Sequence, residues 1–353
     1  MESKQSYTLH VMNPDKFTIP LCKFLKSQFK DHEHKFLFIR KPEDLDIDFT
    51  TVQYLGSPHK FHIISNTLKV FKLYKKSNKI IYHGLPILYY LKLFPWFTYK
   101  VMWVIYGGSD FGTSAERINP SKKTKEKYRI LKKIKYHITH IEEESRLINQ
   151  VISSNSTFIY SPMYLSNVST FSLSNKDSSR EKDIKILLGN SGDPSNHHIE
   201  TLELLKNTIN DNYKIFCPLS YGNDLAYIDN VIKYGKNMFG NKFVPMLEFM
   251  PINDYRAFLS SIDIAIFNHD RQQAMGVTIS LLKLEKIIFM RSSIESYKSL
   301  KRRGFKILDI NNIDKIKHLN KLDTSVNRTL VEKYYSVDQL NESWNFIYNF
   351  SIA

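Results

Sequence analysis

Short apolar runs alternate along this chain with stretches in which apolar residues recur at helical spacing. In the first half the runs predict strands at Tyr7–Met12, Lys35–Ile39, Lys79–Tyr82, Lys100–Tyr106 and Thr157–Tyr160. Helices are predicted over Phe17–Phe29, around Asn66–Lys75, over Leu85–Phe94 and near Glu142–Ile152. In the second half strands are expected at Ile184–Leu188, Asn212–Cys217, Phe243–Leu247, Ile262–Phe267, Lys286–Met290 and Gly304–Leu308. Amphipathic runs fall between them: Ile199–Ile209, a segment ending near Met238, one ending at Ser261, and Val277–Leu284. The tail Ser336–Phe350 reads as a helix with Leu340, Trp344, Ile347 and Phe350 on one side. Strands alternating with helices predict mostly parallel sheets with helices on both faces, a doubly wound α/β arrangement.

Composition divides the chain. Between Ser166 and Asp183 stand six Ser with Asn, Lys and Asp, a polar break of the kind that joins domains. We expect a first domain over 1–165, a linker over 166–182, a second domain over 183–335, and a terminal helix, 336–353, packing across the junction. At 353 residues the length fits two domains. The net charge of +15 suggests an anionic partner: nucleic acid, an acidic membrane surface or a phosphorylated substrate. No recognised nucleic-acid motif accompanies it. Cys22 and Cys217 are far apart and lack a metal spacing, so both read as reduced thiols. No secretory signal is visible at Met1–Ser6. The longest apolar region, Ile80–Tyr106, is interrupted by Pro86, Lys92, Pro95 and Lys100, so no membrane-spanning helix is expected.

The candidate chemistry lies where predicted strands end, which is where open α/β sheets bind ligands. After the Ile184–Leu188 run comes Gly189-Asn190-Ser191-Gly192-Asp193-Pro194-Ser195-Asn196-His197-His198. Its glycines permit close approach, and Asp193, Ser195 and Asn196 are helix-capping types. It reads either as a phosphate-binding turn at a helix start or as a capped loop that binds nothing. Tyr221, after the next strand, is either a stacking surface for a nucleobase or a turn residue. Arg271, after Ile262–Phe267, has the planar fork that suits diphosphate oxygens; the alternative is a surface salt bridge. Gln272 and Gln273 can bond sugar hydroxyls or an acetamido group, and Gly276 allows close approach at a helix start. In the first half, His83-Gly84 and Tyr106-Gly107-Gly108-Ser109-Asp110 sit at strand ends. Asp110 is a candidate general base and His83 a second; the alternatives are a helix cap and a structural histidine. Ser121–Lys135 carries eight basic residues and one acid, with Tyr128, Leu131 and Ile134 at three-residue spacing. It reads as a basic amphipathic helix for an anionic bilayer or as a surface helix packed by its stripe. The aromatics Trp96, Phe97, Tyr99 and Trp103 favour the bilayer; the alternative is that they are core. No Asp-x-Asp metal pattern stands at a convincing strand end, Asp46-Ile47-Asp48 being weakly placed.

These motifs resemble those of the TDP-N-acetylfucosamine:lipid II N-acetylfucosaminyltransferases, glycosyltransferase family 56. That family carries Gly-Asn-Ser-Gly-Asp-x-Ser-Asn-x-His-Ile, matched by Gly189, Asn190, Ser191, Gly192, Asp193, Ser195, Asn196, His198 and Ile199. Its Arg-Gln-Gln-x-x-Gly is matched by Arg271, Gln272, Gln273 and Gly276. A Pro-x-x-Tyr and a Tyr-Ile pair correspond to Pro218, Tyr221, Tyr227 and Ile228. The family's His-Gly is matched by His83-Gly84, and its Trp-Gly-Ala-Asp by Asp110, with Tyr106 for Trp and Ser109 for Ala. Ala274 and Val277 stand where the family tends to have Gly and Thr. The resemblance implies a GT-B glycosyltransferase, two Rossmann-like domains facing a cleft. Gly189, Asn190, Ser191 and Arg271 would hold the diphosphate and stabilise the leaving nucleotide without a metal, and no cofactor is expected. It implies a dTDP-linked donor carrying 4-acetamido-4,6-dideoxygalactose and an undecaprenyl-diphosphate-linked saccharide acceptor. It further implies a place in enterobacterial common antigen assembly, peripheral on the cytoplasmic face of the inner membrane. A related enzyme for another surface polysaccharide is the alternative that Ala274 and Val277 motivate.

Overall fold

The computed structural model describes residues 6–41, 51–55, 60–111, 114–169, 183–209 and 212–352. Asp46-Ile47-Asp48 and most of the expected linker fall outside them. The chain forms two compact units, Met1–Asn167 with Val337–Ala353, and Val168–Ser336.

The first unit is built on seven parallel strands: β1 (Tyr7–Met12), β2 (His34–Phe38), β3 (Val52–Tyr54), β4 (Ser77–His83), β5 (Val101–Val104), β6 (Tyr136–Thr139) and β7 (Thr157–Tyr160). Their order is β3-β2-β1-β4-β5-β6-β7. Successive strand residues face opposite sides, and both sides are covered. Leu9, Val11, Ile80, Tyr82, Val101 and Trp103 pack with Val70, Tyr74, Leu131 and Ile148. His10, on the opposite face, stacks on Phe36 and lies beside Trp344. Two strands were not legible in the sequence. β3 has only three residues, and β6 is a four-residue stretch containing His137 and Thr139, directly after the basic run. Polar residues hide a strand from pattern reading when the sheet buries them anyway.

The terminal helix, Val337–Asn349, belongs to this unit. Trp344 Nε1 donates to Met163 O at 3.2 Å, and the hydroxyls of Ser161 and Ser343 meet at 2.9 Å. The ammonium of Lys79 donates to Ile347 O and Tyr348 O, neutralising the carbonyl end of the helix. Leu340, Trp344 and Ile347 are buried, whereas Phe350 lies past the helix end with its ring 5.1 Å from that of Tyr136.

The second unit carries six parallel strands: β8 (Ile184–Leu188), β9 (Tyr213–Pro218), β10 (Phe243–Met246), β11 (Ile264–Phe267), β12 (Ile287–Met290) and β13 (Leu308–Asp309). Their order is β10-β9-β8-β11-β12-β13. The strand expected at Gly304–Leu308 is displaced, because Gly304 adopts φ +92° and its N–H bonds Lys301 O, closing the helix Glu295–Arg302. Only Leu308 and Asp309 then pair with β12.

Each sheet reverses direction of construction once, between β1 and β4 in the first and between β8 and β11 in the second. Such switch points open a crevice at the carboxyl ends of the strands. His83 ends β4, and Gly189 and Asn268 directly follow β8 and β11.

Candidate active site

In the second unit the loops after β8 and β11 are stitched together by side chains. Asn196, 1% exposed, is the centre. Its Oδ1 accepts from the backbone N–H of Asn190 at 3.0 Å, and its Nδ2 donates to Asp193 O at 3.0 Å and Ser191 Oγ at 3.2 Å. A backbone donor and a backbone acceptor fix which way the amide points. His269 Nε2 lies 3.0 Å from Asn196 Oδ1, so that nitrogen carries the proton. Asn196 therefore has no capacity left for a ligand; it shapes the loop.

Asp193 caps the short turn Pro194–Asn196, its Oδ1 accepting from Ser195 N at 2.9 Å and Ser195 Oγ at 2.5 Å. Its Oδ2 meets Arg271 Nη2 at 3.3 Å. Partial burial works to raise the Asp193 pKa, but the Ser195 hydrogen bonds and Arg271 outweigh it and hold the carboxylate below its ordinary value. Ser195 Oγ also lies 3.1 Å from Gln273 Oε1, which brings Gln273 beside the loop; its Nε2 is buried without a partner. Gly192 N–H donates to Tyr221 O at 2.7 Å, and a Cβ on Gly222 would come within 2.8 Å of the Gly192 carbonyl carbon. Only glycines allow these two turns to touch. The Tyr221 side chain is 71% exposed beside them. Gly276 sits in the first turn of the helix Met275–Lys283, and Ala274 before it is held at φ +58°. Gln272 is partly exposed in the same loop.

One expectation changes in kind. As a phosphate-binding turn the loop after β8 would rely on its backbone N–H groups; the alternative is a capped loop that binds nothing. Here the N–H groups of Gly189, Asn190 and Gly192 are bonded within the protein, to Ile266 O, Asn196 Oδ1 and Tyr221 O. Those three N–H groups are therefore not available to an anion. Ser191 Oγ, which accepts from Asn196, still has its own proton to give.

In the first unit the two predicted strand ends meet. A Cβ on Gly84 would lie 3.1 Å from the Tyr106 ring and 3.4 Å from Asp110 Oδ1. Asp110 lies in the first turn of the short helix Gly108–Phe111 and is buried. Its Oδ2 accepts from Tyr106 N at 2.8 Å and Trp103 Nε1 at 3.2 Å. Burial raises its pKa to about 6, against the opposing effect of those two donors and of Lys127. Such a carboxylate is ionised near neutrality yet more basic than an ordinary one. His83 is different. It is fully buried, with Nε2 3.0 Å from His10 Nδ1 and Nδ1 2.9 Å from the Tyr164 hydroxyl. Both ring nitrogens are used, and burial lowers its pKa to about 3. Asp110 thus stands as the candidate base, with His83 inside a buried His10–His83–Tyr164 chain. Sequence reading missed His10, His269 and Tyr164 as members of these clusters; a histidine inside the apolar β1 run was the one available sign.

The basic stretch forms the helix Lys122–Leu131, capped by Ser121. Leu131 and Ile134 are buried and the Tyr128 ring lies 5.3 Å from Phe111, so the apolar stripe is spent on the core. Trp103 and Phe97 are also core, while Tyr89, Trp96 and Tyr99 are exposed. Among the described residues no three His, Cys, Asp or Glu side chains are grouped to hold a metal, and no helix is long and apolar enough to cross a membrane.

The two parallel sheets, of seven and six strands, match solved structures in fold. A glycosyltransferase from Rickettsia africae superimposes with a TM-score of 0.71 at 16% identity, over 97% of this chain and 98% of that one. Anabaena HepE, solved with UDP and glucose, gives 0.70 at 11% identity over 97% and 99%. A UDP-forming trehalose-phosphate synthase from Burkholderia xenovorans gives 0.66 at 6% over 99% and 100%. The fold is that of the GT-B glycosyltransferases. Residues 20–334 match the 4-alpha-L-fucosyltransferase family, glycosyl transferase group 56, and the chain belongs to it.

Proposed function

We propose that this glycosyltransferase moves 4-acetamido-4,6-dideoxygalactose from a dTDP donor to an undecaprenyl-diphosphate-linked saccharide. The place of action would be the cytoplasmic face of the inner membrane, in enterobacterial common antigen assembly. The observation that carries the reading is the agreement of two separated motifs, Gly189–Ile199 and Arg271–Gly276, which Asn196, His269, Asp193 and Arg271 tie into one site. In the proposed reaction the acceptor hydroxyl oxygen bonds to the sugar's anomeric carbon, and the bond from that carbon to the diphosphate breaks. Asp110 takes the hydroxyl proton. Arg271 and the Ser191 hydroxyl stabilise the charge that develops on the departing dTDP, an electrostatic contribution needing no rearrangement at the moment of reaction. Gln272 and Gln273 would face the acetamido sugar, and Tyr221 would stack on the thymine.

Membrane contact is supported by an exposed apolar surface within the first unit. On the helix Lys60–Lys76, Ile64 is 73% and Leu68 54% exposed; Trp96, nearby through the Phe71–Phe94–Trp96 ring series, is 57% exposed. Lysines on that helix and on Lys122–Leu131 would meet anionic headgroups, each contributing ~1 kcal/mol near the surface.

The test is thermal-shift binding of dTDP, UDP and GDP to the wild type and Arg271→Ala. A dTDP-selective shift that the variant loses supports the reading. Selective binding of UDP or GDP would reject the dTDP donor and favour the alternative, another surface-polysaccharide transferase, which Ala274 and Val277 already motivate.

A further inference from the structure

In the loop after β8 the N–H groups of Gly189, Asn190, Gly192 and His198 already have partners within the protein. His198 opens the helix His198–Lys206 and is fully buried. Among the described residues its Nε2 has no hydrogen-bond partner. That nitrogen lies against Gly189: a Cβ there would come within 2.6 Å of it. Buried polar atoms are nearly always paired, so an unpaired one at a ligand-binding loop calls for an explanation.

Its protonation follows from Tyr227. The Tyr227 hydroxyl oxygen accepts the His198 backbone N–H at 3.2 Å and lies 3.0 Å from His198 Nδ1. Among the described residues Nδ1 is the acceptor available to the hydroxyl's own proton. Nδ1 is then a lone pair, and the single proton of the neutral ring sits on Nε2. Burial keeps the ring neutral, lowering its pKa to about 4.

We infer that His198 Nε2–H is the donor that meets the diphosphate of a bound nucleoside diphosphate, and that Tyr227 positions it by locking that tautomer. The inference rests on the loop after β8 being the donor site. It adds a contact residue, His198, and a residue acting through it, Tyr227. A neutral N–H at this place binds an anion without adding a positive charge to the one Arg271 supplies, so the product nucleotide can still leave.

The experiment combines calorimetric dTDP and UDP binding with nitrogen NMR of the His198 ring, in the wild type, His198→Phe, His198→Gln and Tyr227→Phe. In the wild type the spectrum should show the proton on Nε2, and its resonance should move when nucleotide binds. His198→Phe should weaken binding roughly ten- to a hundredfold, the scale of one hydrogen bond to a charged group. His198→Gln, which keeps an N–H, should recover part of it. Tyr227→Phe should leave a mixture of tautomers and severalfold weaker binding. Should His198→Phe fail to fold, Tyr227→Phe carries the test by itself. Wild-type affinity in Tyr227→Phe or His198→Phe, or a wild-type ring protonated on Nδ1, would overturn the inference. Loss of binding in Arg271→Ala but not in the His198 and Tyr227 variants would overturn it while leaving the donor site standing. No nucleotide binding by the wild type would reject both.

Discussion

Arg271 Nη2 lies 3.3 Å from Asp193 Oδ2, so the guanidinium offered by the loop after β11 is held by a carboxylate from the loop after β8. Both readings of Arg271, salt bridge and ligand fork, therefore describe one residue. The pair is partly exposed on both sides, and such pairs contribute at most about 1 kcal/mol to stability. The bridge is weak enough to be exchanged for a diphosphate.

Arg271→Ala should accordingly separate stability from catalysis. The melting temperature should change little, whereas turnover should fall on the order of a hundredfold or more, as when a preorganised transition-state donor is removed. Steady-state kinetics beside thermal melts check this. Near-normal turnover would remove Arg271 from the mechanism.

Asp110 predicts a trade between stability and activity. Its pKa rises from the ordinary 3.8 to about 6, which at about 1.36 kcal/mol per unit is roughly 3 kcal/mol against the ionised folded state. A carboxyl raised on folding favours the fold fully below pH 3.8, and that contribution is lost as pH rises through about 6. Asp110→Asn removes the charge. Its Oδ1 can still accept from Tyr106 N and Trp103 Nε1, because both donors converge on one oxygen. The variant should melt higher than the wild type at neutral pH and equally near pH 4. Its activity should fall about a hundredfold or more. The wild-type rate should decline below pH 6, as the base becomes protonated.

Ala274 occupies the left-handed region at φ +58°, which costs a residue with a Cβ roughly 1–2 kcal/mol. Ala274→Gly removes that strain and loosens the unfolded chain by a smaller amount. The expected outcome is a gain of about 0.5–1 kcal/mol in denaturant unfolding. This geometry also gives a physical reason for the family's tendency to have Gly there. A loss of stability would show that the Ala274 methyl packs usefully.

Ile64→Asp combined with Trp96→Asp should reduce cosedimentation with vesicles containing an anionic lipid. Both side chains are exposed, so melting should be nearly unchanged. Undiminished cosedimentation of the folded variant would move the membrane contact elsewhere on the protein.

Period and punctuation were enough to read the two doubly wound sheets. Strands such as Tyr7–Met12 and Ile264–Phe267 are apolar because both faces of a parallel sheet are covered, and that burial is written directly in the residues. β3 and β6 escaped because they are short and, in β6, half polar. The loops Gly189–His198 and Asn268–Gly276 were legible as candidate sites from their residue types and strand-end positions.

What each residue does there was decided by tertiary structure. Asn196 and Arg271 are both polar residues of strand-end loops, yet one is buried with its amide fully engaged and the other keeps a partly exposed fork. In the sequence Asp110 already stands ahead of His83 as the candidate base, and the fold gives the physical reason for the difference. The fold uses both nitrogens of one ring and raises the pKa of the other's carboxyl. The sequence by itself determined most strands and helices and the residue types at the strand ends, because local pattern and composition specify those. Partners across the switch point, such as Asn196 with His269 or Arg271 with Asp193, lie more than seventy positions apart. Hydrogen-bond capacity, burial and proton affinity depend on those distant neighbours, and only the folded chain supplies them.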